Sequence, residues 1–242
     1  VEASTDHLTP LRVLPTPQAI GDYLAERLLD RIEHARRLRK RFLLGCPTGR
    51  TPRPVYDEIT RHGRDLSHVV LVMMDEYVPS GREPWACHSF VKRHMPWNAE
   101  VWFPDPKDPD AYDRRIADAG GIDFFLLASG ATDGHVAFNQ PGAPRDSLTR
   151  VVPLSEATRR DNLKTSPSFG TFENVPPQGV TVGIATIAAA REGVMVVWGE
   201  SKRLTLQQIR AAERYNPSWP ATVIHEISIR EIVCDSEALL SS

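Results

Sequence analysis

The chain has 242 residues, a formal net charge of −2, 41% hydrophobic and 25% charged residues, which excludes a disordered or fibrous protein and predicts one globular domain over residues 1–242. The near-neutral balance gives no global attraction to nucleic acid or to an acidic membrane surface, so the expected partner is a small, locally recognised molecule. Cys46, Cys87 and Cys234 are odd in number and lack C-x-x-C spacing; they support neither a disulfide framework nor a zinc knuckle and point to the cytoplasm. No stretch approaches the roughly eighteen apolar residues of a spanning helix, and without a charged-then-apolar start neither a membrane span nor an export signal is expected.

Thr16 and Pro17 read as the cap and first residue of a helix, with Ile20, Leu24, Leu28 and Ile32 spaced by four on one face. That stripe predicts a helix lying on a sheet, and the basic run His34–Arg41 reads as its solvated end. Short apolar runs follow at Phe42–Gly45, Val69–Met74, Phe124–Ala128, Val180–Ile184, Val194–Trp198 and Ile232–Cys234, most of them separated by helical patterns. The alternation predicts a single α/β domain with a mostly parallel, doubly wound (Rossmann-like) sheet and helices on both faces. Residues 153–177 are polar with few strand signals, and a lid over a site is the expected role of such an excursion.

Ligands of open α/β sheets bind beyond the carboxyl ends of the strands, and four constellations fall there. The loop Gly45-Cys46-Pro47-Thr48-Gly49-Arg50-Thr51-Pro52 runs from a strand into a helix, with Thr51 and Pro52 reading as its cap and first residue. It is either an anion site of backbone N–H groups and helix dipole or a plain tight turn; it is not a Walker A loop, because no Gly-Lys-Ser/Thr follows. After Val-Leu-Val-Met-Met comes Asp75-Glu76-Tyr77, where adjacent side chains point in different directions, so one acid can face a ligand while the other makes structural bonds. The alternative is a solvated strand end.

The third constellation is Ser129-Gly130-Ala131-Thr132-Asp133-Gly134-His135-Val136-Ala137-Phe138-Asn139-Gln140-Pro141. A carboxylate beside a loop histidine can fix its tautomer and leave the other ring nitrogen to handle protons. Asp-x-His can also open a metal site, but no third ligand accompanies it at a recognisable spacing, so no metal is expected. Lys202 is the fourth, at a strand-to-helix junction, where it either reaches a phosphate as a point charge or is solvated.

In this order and spacing the segments from about Phe42 to Asp235 resemble the glucosamine-6-phosphate deaminase family and its relative, 6-phosphogluconolactonase. Met74-Asp75-Glu76-Tyr77 and Asp133-Gly134-His135-Val136-Ala137-Phe138-Asn139 are closer to the deaminase branch, Thr181-Val182-Gly183-Ile184 and the Lys202 segment fit it as well, and Thr48-Gly49-Arg50-Thr51-Pro52 is shared by both branches. The resemblance implies ring opening of an amino-sugar phosphate, aldose–ketose isomerisation and release of ammonia, with neither metal nor organic cofactor. It also implies roles: Asp75 as the base between the first two sugar carbons, His135 in ring opening with Asp133 beside it, and Thr48, Gly49, Arg50, Thr51 and Lys202 on the phosphate. Lys164 falls where the family's phosphate-binding arginine is expected.

Two residues depart from the family pattern. Gln140 stands where deaminases carry the glutamate that partners the catalytic histidine, and an amide cannot stabilise an imidazolium by charge. Arg50 replaces a small residue. Both make a shifted sugar-phosphate substrate an expectation; a lactonase-type hydrolase, which needs only water activation near His135 and phosphate binding, is the runner-up, and Gln140 keeps open a non-catalytic sugar-phosphate sensor. Family members occur as monomers and hexamers, so a homo-oligomer is compatible with the resemblance.

Overall fold

The computed structural model describes residues 9–79 and 83–240; residues 1–8, 80–82 and 241–242 of the single expected domain lie outside the described residues. Strand β1 (Leu11–Leu14) leads into helix α1 (Pro17–Arg37), followed by β2 (Phe42–Cys46), α2 (Arg53–His62), β3 (Val69–Met73), β4 (Asp75–Val78), α3 (Cys87–His94), β5 (Glu100–Trp102), α4 (Asp110–Asp118) and β6 (Phe124–Ala128). The second half holds β7 (Arg150–Pro153), α5 (Glu156–Thr165), β8 (Gln178–Thr181), α6 (Ile184–Ala188), β9 (Glu192–Val197), α7 (Arg203–Ala211), β10 (Ile229–Asp235) and α8 (Ser236–Leu239).

The Thr16 hydroxyl accepts from the Ala19 amide at 3.1 Å, and Ile20, Leu24, Leu28 and Ile32 are all buried, so α1 starts and faces as its spacing predicts. It lies on a seven-stranded sheet of order β1-β10-β9-β6-β2-β3-β5 in which every pairing is parallel. The strands are apolar throughout because both faces are covered. In β3, Val69, Leu71 and Met73 pack with Leu24, Tyr56 and Ile59 under α1 and α2. Val70 and Val72 point to the other face, into a core shared with Tyr112 and Ile116 of α4, Ile184 and Ile187 of α6, and Leu206 and Ile209 of α7.

A second sheet corrects part of the expected layout. Val180–Ile184 is not a strand of the main sheet: β8 ends at Thr181, pairs antiparallel with β4 and β7, and Ile184 opens α6. Asp75-Glu76-Tyr77 is likewise not the end of the preceding strand but a separate strand of this small sheet. Residues 153–177 contain the end of β7, all of α5 and two 3-10 turns. Tyr77 and Phe138 pack beside Phe169 and Val175 from that segment, so the small sheet and the 153–177 excursion share a core.

From β2 the chain steps to β3 and β5 on one side and returns through β6 to the other. The gap between the ends of β2 and β6 is therefore the switch point of the sheet, where a crevice opens between diverging loops.

Candidate active site

The loop after β2 is pinned at both ends. The Tyr56 hydroxyl donates to the Pro47 carbonyl at 2.8 Å, and the Trp198 indole donates to the Thr51 carbonyl at 2.9 Å. Gly49 takes φ +89, and the Arg50 guanidinium lies 5.0 Å from the centre of the Trp198 ring. Helical hydrogen bonding starts one residue later than expected: Pro52 occupies the cap position and α2 has no side-chain cap, because the Thr51 backbone faces Trp198. The dipole of α2 still favours an anion in front of its first turn.

Asp75 and Glu76 divide as their alternation in a strand requires. The Glu76 carboxylate accepts from the amides of Tyr77 at 2.8 Å, Cys87 at 3.0 Å and His88 at 3.0 Å, and from His88 Nδ1 at 2.5 Å. It caps the N-terminus of α3 from the preceding strand. Burial alone would raise its pKa, but His88 and the three amides hold it below the ordinary range. Asp75 is 6% exposed and receives the Cys87 thiol at 3.5 Å; Thr48 Oγ1 is 3.8 Å from the same sulfur. Burial, reinforced by the Glu76 charge and opposed by Cys87 and His135, pushes the Asp75 carboxyl up to about 7. A carboxyl poised there exchanges protons readily at neutral pH.

After β6 the chain folds back on itself, the Gly130 amide donating to the His135 carbonyl at 2.8 Å. A Cβ on Gly130 would come within 2.3 Å of His135 Nδ1 and 2.5 Å of Asp133 Oδ1, so only glycine lets the pair lie against the backbone. Gly134 has φ +65, and a side chain there would strike the Trp219 ring. His135 Nδ1 donates to Asp133 Oδ1 at 2.7 Å, and the His135 amide donates to the same oxygen at 3.2 Å. This fixes the tautomer and leaves Nε2 as the nitrogen that handles protons. Burial would raise the Asp133 carboxyl; the bonds and charge of His135, with a bond from the Thr158 hydroxyl, lower it to about 2.

Lys202 donates from Nζ to the Ser129 carbonyl at the end of β6. Desolvation lowers its ammonium to about 8, with Asp161 raising it, Arg50 lowering it and Asp133 raising it. The structure thus brings Asp75, Asp133, His135, Lys202, Arg50 and Thr48 to one crevice.

Two expected residues are placed differently. Gln140 makes no hydrogen bond to His135: its Nε2 donates to the Pro153 carbonyl at 2.6 Å, and its Oε1 accepts from the Ser155 amide at 2.5 Å and the Thr158 hydroxyl at 3.1 Å. The amide joins the end of β7 to the start of α5, which needs a donor and an acceptor on one side chain. Lys164 is turned to solvent, 76% exposed, with its ammonium 3.8 Å from Asp161. Neither Thr158 nor a place for the Cys87 thiol beside Asp75 was expected: the polar run 153–177 does not single out Thr158, and the cysteine count says nothing of where Cys87 points.

Gln140→Glu replaces the Nε2 donor with a second oxygen against the Pro153 carbonyl. The expected cost is about 1–3 kcal/mol, seen as a fall in Tm of about 2–8 °C by thermal melting at pH 7.5, with no gain in turnover because His135 already has a carboxylate. Among the described residues no group of three or more His, Cys, Asp and Glu could hold a metal ion, and no helix is long and apolar enough to cross a membrane.

These features define a doubly wound α/β protein with acid–base groups and cations at its switch point. The family model described as glucosamine-6-phosphate isomerases/6-phosphogluconolactonase matches residues 15–233, and the chain belongs to that family. It is 35% identical to a glucosamine-6-phosphate deaminase of Porphyromonas gingivalis, over 94% of this chain and 92% of the relative. It is 34% identical to one of Dictyostelium discoideum, over 90% and 88%. The solved structure of a monomeric glucosamine-6-phosphate deaminase superposes with a TM-score of 0.85 at 24% identity, covering 95% of this chain and 98% of the other. A 6-phosphogluconolactonase from Shewanella baltica gives 0.76 at 16%, covering 94% and 98%, and both share the fold.

Proposed function

We propose that the chain is a glucosamine-6-phosphate deaminase that uses its own side chains for acid–base catalysis, with no metal or organic cofactor. The observation that carries this reading is a nearly buried carboxyl, Asp75, held at about 7 and close enough to His135 to feel its charge, beside a crevice with two cations. His135 Nε2 exchanges a proton with the ring oxygen as the pyranose opens. Asp75 takes the C2 proton of the open-chain aldehyde, leaving an enolamine, and returns it to C1. The resulting imine consumes one water, releasing ammonia and fructose 6-phosphate. The loop of Thr48, Gly49, Arg50 and Thr51 holds the phosphate together with Lys202, and Lys164 joins it only if α5 shifts.

Residues 153–177 are read as the cover over this crevice. A sensor without catalysis was suggested by the amide at position 140; Asp133 supplies His135 with the missing carboxylate, and that motive falls away. On this reading the protein works in the cytoplasm, where the buried thiols of Cys46, Cys87 and Cys234 stay reduced. Light scattering of the purified protein tests for a homo-oligomer.

The test is ammonia and fructose 6-phosphate released in equal amounts from glucosamine 6-phosphate, with 6-phosphogluconolactone in parallel. Acid release from the lactone without ammonia from the amino sugar would replace deaminase by lactonase. The expected kcat/KM profile is a narrow bell. Asp75 must be ionised, so activity falls about tenfold per unit below pH 7; Lys202 must be protonated, so phosphate capture falls above pH 8. A profile flat from pH 6 to 9 would contradict both assignments.

A further inference from the structure

Between the 153–177 segment and the histidine loop lies a buried hydroxyl. Thr158 is fully buried in the first turn of α5. Its Oγ1 accepts from the Ser155 hydroxyl at 3.0 Å and stands 3.3 Å from Asp133 Oδ2 and 3.1 Å from Gln140 Oε1. A hydroxyl has one proton to give, so Asp133 and Gln140 share a single donor. The Ser155 hydroxyl donates to a lone pair of Thr158 Oγ1, and its own Oγ caps α5 by accepting from the Thr158 amide at 3.1 Å. The second oxygen of Asp133 is therefore oriented by a helix that reaches the loop from outside it. The first oxygen holds His135.

α5 is fastened independently of this hydroxyl. Gln140 grips the Pro153 carbonyl and the Ser155 amide, the Thr132 hydroxyl donates to Asp161 at 2.9 Å, and Arg159 bonds the Phe172 and Val175 carbonyls. A change at Thr158 can thus leave the helix seated and alter only what Asp133 receives.

We propose that Thr158 is a positioning residue: its hydroxyl holds the Asp133 carboxylate square to His135, so that the seating of α5 sets the geometry of the acid–base pair. In a two-oxygen carboxylate with one oxygen on the imidazole, a donor on the other oxygen restricts rotation and spreads the charge. Both effects reach the imidazole without any contact between Thr158 and substrate. A shift of α5 away from the loop removes the donor, so the pair is fully organised only when the helix is in place. The kinetic consequence rests on the deaminase reading; the effect on His135 does not.

The test compares wild type with Thr158→Val, nearly the same shape without the hydroxyl, and Thr158→Ser, which restores it. With glucosamine 6-phosphate, Thr158→Val is expected to lower kcat about 5- to 30-fold, a fraction of a full general acid–base contribution, with KM within about twofold; Thr158→Ser recovers most of the loss. Without substrate, the NMR resonance of the His135 Nδ1 proton, which bonds Asp133 Oδ1, is expected to move downfield in Thr158→Val and back in Thr158→Ser, because the undispersed Asp133 charge accepts that hydrogen bond more strongly. The other charged groups around the pair, Asp75 of β4, Asp161 of α5, Arg50 after β2 and Lys202 before α7, are the same in all three proteins. A raised KM with unchanged kcat, or an unmoved resonance of the His135 Nδ1 proton, overturns the proposal and leaves Thr158 a packing residue of α5. A silent wild type whose His135 still responds to Thr158→Val overturns the deaminase reading alone.

Discussion

Asp75→Asn is expected to lose at least a hundredfold in kcat and to melt higher than the wild type at neutral pH. The first half follows from the role proposed for Asp75: an amide cannot take the C2 proton, and a positioned base contributes about 10²–10⁴. The second follows from linkage. The carboxyl stands at about 7 in the native state against an ordinary 3.8. Between pH 4 and 7 the unfolded chain has already released a proton that the native chain still holds, so each pH unit in that window weakens the fold. Above pH 7 both states are ionised and the deficit is level. At about 1.4 kcal/mol per unit the full deficit approaches about 4 kcal/mol, and the desolvated amide of the variant offsets part of it. The expected net gain is about 1–3 kcal/mol, or about 2–8 °C in Tm for a chain of this length. Melting curves at pH 4.5, 6 and 7.5 check it: the gap between variant and wild type should open across the series. An equal gap at all three pH values would mean that Asp75 carries no raised pKa. A base that destabilises its own fold is the expected cost of keeping a carboxyl buried at its working pKa.

The parallel sheet was legible because its signal is local. Continuous apolar runs such as Phe124–Ala128, and a four-residue stripe such as Ile20 to Ile32, report burial on both faces or on one without reference to the rest of the chain. The small sheet was not legible: β4 pairs with β8 across about a hundred residues, and its Asp75-Glu76 pair is polar for functional and capping reasons rather than patterned. The edge strands β1 and β5 are short and partly exposed, so they lack a run to read. Within the site, the sequence could say that Asp75 and Glu76 point apart but not which serves which end. That depends on the α3 N-terminus arriving at Glu76. Gln140 lies five positions after His135, yet Ala137 at φ 51 turns the chain between them, and the amide ends on β7 and α5. Lys202 was readable as a strand-to-helix lysine, whereas its desolvation against Ser129 is tertiary.

Asp133→Asn should separate the histidine's partner from everything else in the crevice. Asp133 sits at about 2, so it is ionised throughout the working range and its loss is felt at every assay pH. In the variant the amide can offer either an oxygen or an NH₂ to Nδ1, and the second choice moves the imidazole proton to Nε2, the wrong nitrogen for accepting one. The fixed negative charge that favours imidazolium is lost as well. The corresponding exchange in a serine-protease triad costs about 10⁴; with the ring-opening role proposed for His135, kcat is expected to fall by about 10²–10⁴. Stability moves opposite to Asp75→Asn. A carboxyl lowered from 3.8 to about 2 contributes stability that is present above pH 4 and lost as pH falls towards 2. Asp133→Asn therefore melts below the wild type at pH 7, by about 1–2 kcal/mol, and the gap closes on acidification. The decisive comparison is single-turnover ammonia release by Asp133→Asn and Gln140→Ala at pH 7.5. If the partner of His135 is Asp133, the first variant loses most of its turnover and the second loses far less. The reverse order would return the histidine to Gln140 and place Asp133 among the residues that merely shape the loop.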